Sequence, residues 1–213
     1  MSHTLHRRGT PENLKNDYVI FAMSAKGMNE IGSNEKLQQF LEIMQRFEPV
    51  NLGDMKTGNR FIKPDETIVA NTRDTSIVHG VFDDRGKVIK ALAALKEADL
   101  GVSVIISGLF DDVHDCCREA GVEPHTCEKS LGIWGRTERL PDEEIMQITT
   151  MCGHGMVAFN LVRKMIEDIK TGRCTVKEAA EELAKPCQCG VFNPGRAEAL
   201  LEEIICLWGV HVA

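Results

Sequence analysis

Two short motifs hold the residues best suited to chemistry in this 213-residue chain, M-C-G-H-G-M at 151–156 and P-C-Q-C-G at 186–190. Cys152, His154, Cys187 and Cys189 are soft or borderline metal ligands, and each motif stands just ahead of a predicted helix. A helix N-terminus offers free N–H groups and a partial positive charge, both of which favour a thiolate over a thiol. The flanking glycines let backbone approach a bound group closely. An antiparallel helix pair between the motifs would return the second to the same end of the bundle as the first, so the four side chains are expected to converge.

Three thiolates and one imidazole suit a tetrahedral zinc ion. The three cysteines alone, Cys152, Cys187 and Cys189, would instead bind a [4Fe–4S] cluster with one iron open. Neither C-x-H nor C-x-C is the spacing of common zinc knuckles or ferredoxin runs, so the choice between iron–sulfur cluster and zinc stays open. In the cluster version His154 is free to act as general acid or base. That points to a lyase or dehydratase acting on a small acidic metabolite. If zinc takes all four ligands, the site is closed and structural, and the chain reads as a non-catalytic accessory or binding module, or one carrying an electron-transfer cluster. A metal-free reactive thiol is a further reading, although a Cys187–Cys189 disulfide closes a tight, strained ring. The plainest alternative makes these cysteines small buried apolar residues.

Other candidates read as structure. Cys116 and Cys117, beside His114 in DDVHDCC, fall on a helix core face with Val113 and Ala120, and His114 reads as exposed. Cys127, near His125, is a substitute fourth ligand if His154 handles protons instead. Cys174 reads as packing or surface, and Cys206 as buried on the last helix. The loop GDMKTGNR has the glycine spacing of a phosphate loop, but Asn59 and Arg60 replace the required Lys and Ser/Thr, so it reads as a turn. His79 shares a strand face with Ile77 and Val81 and reads as a core histidine. Lys26, Arg73 and Asp74 are surface groups with some capacity for anion contact.

The elements that must position the motifs follow from periodicity. Residues 1–17 form a polar, basic-leaning arm expected to be ordered by contact with a neighbour. Residues 18–140 read as an α/β sandwich. Strand-length runs occur in DYVIFAMSA, near FIKP, in SIVHGVF, in GVSVIISGL and in PHTCEKSLGIWG. Helical spacing occurs at Leu37, Phe40, Leu41, Met44 and Phe47, again at Val88, Ile89, Leu92 and Leu95, and in the helix ending at Gly121. Strand–helix–strand order allows either parallel pairing or a split β-α-β arrangement.

Residues 141–213 read as a helical region carrying the Cys/His motifs and packed into the same domain. It comprises a helix over 156–170 closed by Gly172, a second opened by a Thr175/Glu178 capping box and stopped by Pro186, and a third with Asn193 as N-cap. The fold class is therefore α/β, an N-terminal α/β sandwich with a C-terminal helical subdomain.

Composition narrows the functional classes. With 43% hydrophobic and 27% charged residues the chain can bury a core. Twenty-five basic against 32 acidic residues and only 5% aromatics disfavour a nucleic-acid partner. No run reaches membrane-span length, and the N-terminus lacks the apolar stretch of a signal peptide. Cytoplasmic location with reduced thiols is expected, with a small molecule as the possible partner. The apolar C-terminal ICLWGVHVA suggests homo-oligomer contact.

Overall fold

The computed structural model describes residues 3–208, and its centre is a five-stranded sheet. Strand β1 (Tyr18–Met23) occupies an interior position because both of its faces are apolar. Val19 and Phe21 point to one side, Tyr18, Ile20 and Ala22 to the other, so the strand reads as a continuous hydrophobic run. Around it stand β2 (Asn51–Asp54), β3 (Gly58–Asn59), β4 (Ile77–Phe82) and β5 (Ser103–Ser107), in the order β3-β2-β4-β1-β5. Every neighbouring pair is antiparallel. The crossovers through α2 (Ser33–Gln45) and α4 (Arg85–Ala98) each join strands separated by one other strand. Of the two arrangements open to the sequence, the split β-α-β form is the one adopted.

One face of the sheet packs on α2, α3 (Asp65–Ala70), α4 and α5 (Phe110–Glu119), through Leu37, Phe40, Met44, Ile68, Leu92 and Val113 among others. The other face packs on α6 (Glu143–Thr149), α7 (Phe159–Lys170), α8 (Val176–Ala184) and α9 (Pro194–Leu207). The fold is thus α/β as expected, with the helical region forming a third layer across the sheet. Helix α8 opens with the Thr175/Glu178 capping box, and Asn193 caps α9 by accepting from the Arg196 amide. The Asp74 carboxylate is structural, accepting from the Gly32 and Asn34 amides and so capping α2, where Gly32 offers no side chain.

Several expectations change. The stretch GDMKTGNR is no plain turn, since its ends form the β2–β3 hairpin. The FIKP segment is not extended but turns into α3, a helix too short for periodicity to reveal. PHTCEKSLGIWG forms no strand, and Leu131 and Trp134 are left exposed. Helix α7 starts at Phe159 rather than 156, leaving His154 in a turn. Cys206 is exposed rather than buried, because α9 directs Leu200, Leu201, Ile204 and Ile205 to the core and turns Cys206 away. The arm needs no neighbour: its helix α1 (Pro11–Leu14) and the buried His3 and Thr4 lie on the chain's own domain. Residues 209–213 of the proposed oligomer tail lie outside the described residues.

Candidate functional site

The two motifs occupy the loops α6–α7 and α8–α9, and both are held by groups far away in sequence. Pro186 ends α8, and Asn59 then clamps the following turn, its Nδ2 donating to the carbonyls of Ala184, Lys185 and Cys187 at 3.2, 3.2 and 2.8 Å. Asn51 donates to the Phe192 carbonyl at 2.8 Å. The C-Q-C-G turn lies directly on β2: a Cβ at Gly53 would stand 2.7 Å from the Cys189 carbonyl oxygen. Gly190, at φ +76°, faces Gly53 just as closely, so both positions exclude side chains.

Arg7 of the arm joins the motifs. Its guanidinium donates to the Met151 carbonyl at 3.3 Å and to the Val191 carbonyl, and it pairs with buried Asp17. Asp17 also holds Arg196 at 3.0 Å, and Arg196 donates to the Arg8 carbonyl and to Asn13. This buried network therefore fixes the arm, α9 and both cysteine loops to one another.

The four expected side chains come together. Cys187 and Cys189 Sγ are 3.9 Å apart, and Cys189 Sγ lies 3.7 Å from His154 Nδ1. Cys152 and Cys187 each perturb the other's ionisation. All three thiols are buried, whereas His154 is exposed at the mouth. Backbone N–H groups point at the sulfurs, from Met156 and His154 to Cys152, from Phe192 to Cys187, and from Val191 to Cys189. The thiols are electrostatically unequal. Donation from Cys187 lowers Cys189 below the usual thiol range. Cys187, although favoured as a thiolate by Cys152, is pushed up to about 12 by Cys189 and by burial. Its interaction with Cys187, together with burial, raises Cys152 still further. Among the described residues, no group of three or more His, Cys, Asp or Glu side chains stands in an arrangement that could hold a metal ion.

Two histidines join the site unexpectedly. His3 stacks on His154 with ring centroids 5.0 Å apart, and its Nε2 lies 3.1 Å from His79 Nε2. Phe21 packs against both. His79 is buried on the face shared with Ile77 and Val81, as alternation indicates, but it is a core histidine only in burial. Its Nε2 reaches toward the site. Burial and the other imidazoles hold His79 well below the ordinary histidine range, and burial followed by His154 lowers His3 to about 4. Both are neutral near pH 7, so a single proton is shared between their Nε2 atoms. A His–Gly pair inside a strand was the one available signal for His79, whereas nothing in the arm's composition marks His3.

A cleft of about 480 Å³ reaches Cys152, lined by Met146, Val157, Phe159, His6 and Asn160 among others, with no lysine or arginine. The remaining candidates lie elsewhere. Cys116 and Cys117 are buried in the opposite core with His114 exposed beside them, Cys127 is exposed along β5, Cys174 is half-buried, and Lys26 and Arg73 are exposed. Among the described residues no helix is long and apolar enough to cross a membrane. No family model, curated protein or solved structure matches the chain.

Proposed function

We propose that Cys152, Cys187, Cys189 and His154 bind one transition-metal ion of the zinc class, making this a cytoplasmic metalloprotein with an exchangeable fourth ligand. The observation that carries the reading is the pair of separations, 3.9 Å between Cys187 and Cys189 sulfurs and 3.7 Å from Cys189 to His154. With zinc–sulfur bonds of ~2.3 Å and zinc–nitrogen bonds of ~2.0–2.1 Å, a tetrahedron has S···S and S···N edges of about 3.8 and 3.6 Å. In a cubane cluster each cysteine binds a different iron, which spreads the sulfurs further apart. The backbone N–H groups aimed at each sulfur support thiolates, and a divalent ion supplies the charge that three adjacent thiolates need. Completing the shell takes a side-chain movement, since no such group stands arranged around one point.

Three ligands are buried and the fourth, His154, is exposed. With an ion held there, Cys152, Cys187 and Cys189 would anchor it, and His154 would be the exchangeable ligand, available as general acid or base once free. We infer an enzyme that activates water or a small substrate on the metal.

Elemental analysis and an absorption spectrum of protein purified without oxygen test the proposal. One zinc per chain is expected, with loss of metal on Cys187→Ser or Cys189→Ser. Iron with sulfide would replace zinc by a cluster, and metal-free protein that takes up no added zinc would overturn the reading.

A second reading has its own support. Cys189 has a lowered thiol pKa and lies within reach of His154, the pairing of a nucleophilic cysteine and its base. Selective alkylation of Cys189 in metal-free protein would favour it.

A further inference from the structure

Strand β5 is the open edge of the sheet, and among the described residues its outer backbone has no partner. Exposed edges are ordinarily guarded by Lys, Pro, a bulge or a covering segment. The sequence of β5, S-V-I-I-S, contains neither charge nor proline, and Val104 is 37% exposed. A groove of about 940 Å³ runs along this strand, walled by residues 122–130. From that wall the segment Ser130–Trp134 continues without secondary structure, and it makes no backbone hydrogen bond to β5. Its pattern, S-L-G-I-W, is that of a strand, yet Leu131, Ile133 and Trp134 are 81%, 46% and 83% exposed. The chain thus contains a strand-patterned segment without a sheet and a sheet edge that faces the 122–130 wall but has no strand on it.

We propose that the two satisfy each other between two copies of this chain, Ser130–Trp134 of each adding as an outer strand to β5 of the other. An antiparallel register that sets Leu131 opposite Ile106 also sets Ile133 opposite Val104 and Ser130 opposite Ser107. Residues directly opposite share a face, so this register matches two apolar pairs and one serine pair, with Gly132 opposite Ile105 and Trp134 opposite Ser103. Main-chain hydrogen bonds supply the affinity and the alternate side chains the specificity, as in other strand additions. Because each copy both gives and receives a strand, the contact closes on a two-fold axis and does not propagate into fibres. The groove borders the arm, since Arg7, Asp17 and Phe21 line it and Ser130 Oγ lies 3.2 Å from His6 Nδ1, but the dimer proposal does not rest on metal binding.

Light scattering after gel filtration, across a dilution series, reads the state directly. The full chain is expected at twice its 23.7 kDa mass. Val104→Lys on the edge and Ile133→Asp on the segment should each yield a monomer with an unchanged circular-dichroism spectrum. Hydrogen exchange on the unaltered protein gives a readout that needs no variant: amides of 103–107 and 130–134 should be protected in the dimer and lose protection together on dilution. A monomeric protein at every concentration would overturn the proposal, even with those amides protected, since the strand would then belong to its own chain. A dimer that survives both substitutions, or that is lost only when residues 209–213 are removed, would overturn it as well.

Discussion

A Cβ placed on Gly153 would stand 1.6 Å from the carbonyl oxygen of His3, so the arm lies against the first cysteine motif with no room for a side chain between them. Gly153→Ala should therefore lift the arm, separate His3 from His79 and His154, and cost about 1–3 kcal/mol, as other small-to-large changes at closed contacts do. Limited proteolysis is the check. Cleavage within residues 1–17 is expected to accelerate in this variant and to stay slow in Val157→Ala, a truncation nearby. Equal rates would show that Gly153 does not seat the arm.

Two guanidiniums, Arg7 and Arg196, share the single buried carboxylate of Asp17. Asp17→Asn leaves both cations buried without a counter-charge, and breaking such a pair typically costs about 3–5 kcal/mol. Denaturant titration should show a loss of that size. Arg7→Met in the same background should restore part of it, by removing one stranded charge. Additive losses in the double variant would mean that Asp17 and Arg7 act independently.

The imidazoles predict an acid-sensitive fold. In metal-free protein His79 lies well below its ordinary value of 6.5 and His3 lies at about 4, so the unfolded chain takes up protons before the folded one does. Where the unfolded state binds more protons, stability rises with pH. Their contribution is complete above about pH 6.5 and is lost as pH falls from there toward 4. Within that window stability falls as pH falls, because the unfolded chain takes up protons that the folded histidines refuse. The lowered carboxylates Glu12, Glu119, Asp168 and Glu178 have ordinary values of 4.5, 4.5, 3.8 and 4.5 and act mostly below pH 5, while raised Glu198 acts in the opposite sense, so the histidine share is read as the difference between the unaltered protein and His79→Gln. Unfolding free energies measured across that interval should flatten in His79→Gln. An unchanged slope would mean that His79 is not the buried neutral base described here.

The layers of this protein were legible because local rules and tertiary demands agree on them. Helices α2 and α4 carry apolar stripes that the sheet covers, α7 and α9 carry stripes that their neighbouring helices cover, and Thr175 and Asn193 cap helices as their positions indicate. The convergence of Cys152, His154, Cys187 and Cys189 followed from motif spacing and an antiparallel helix pair. What escaped was set by long-range contact. Gly53 and Asn59 look like loop residues until β2 and β3 are pressed against the Cys187–Gly190 turn. His3 has no local pattern at all, since only docking on Gly153 and His79 gives it a place. Ser130–Trp134 departs in the opposite sense: its alternation reads as a strand, but among the described residues no strand pairs with it.

The hydrogen bond from Arg7 to the Val191 carbonyl spans 184 residues of sequence. Closing so long a loop is entropically costly and comes late in folding. The arm also meets His79, Glu143, Thr150 and Gly153, so this contact is one of several closures that seat it. Proteolytic removal of the arm would therefore untie the two cysteine loops from each other without touching a single cysteine.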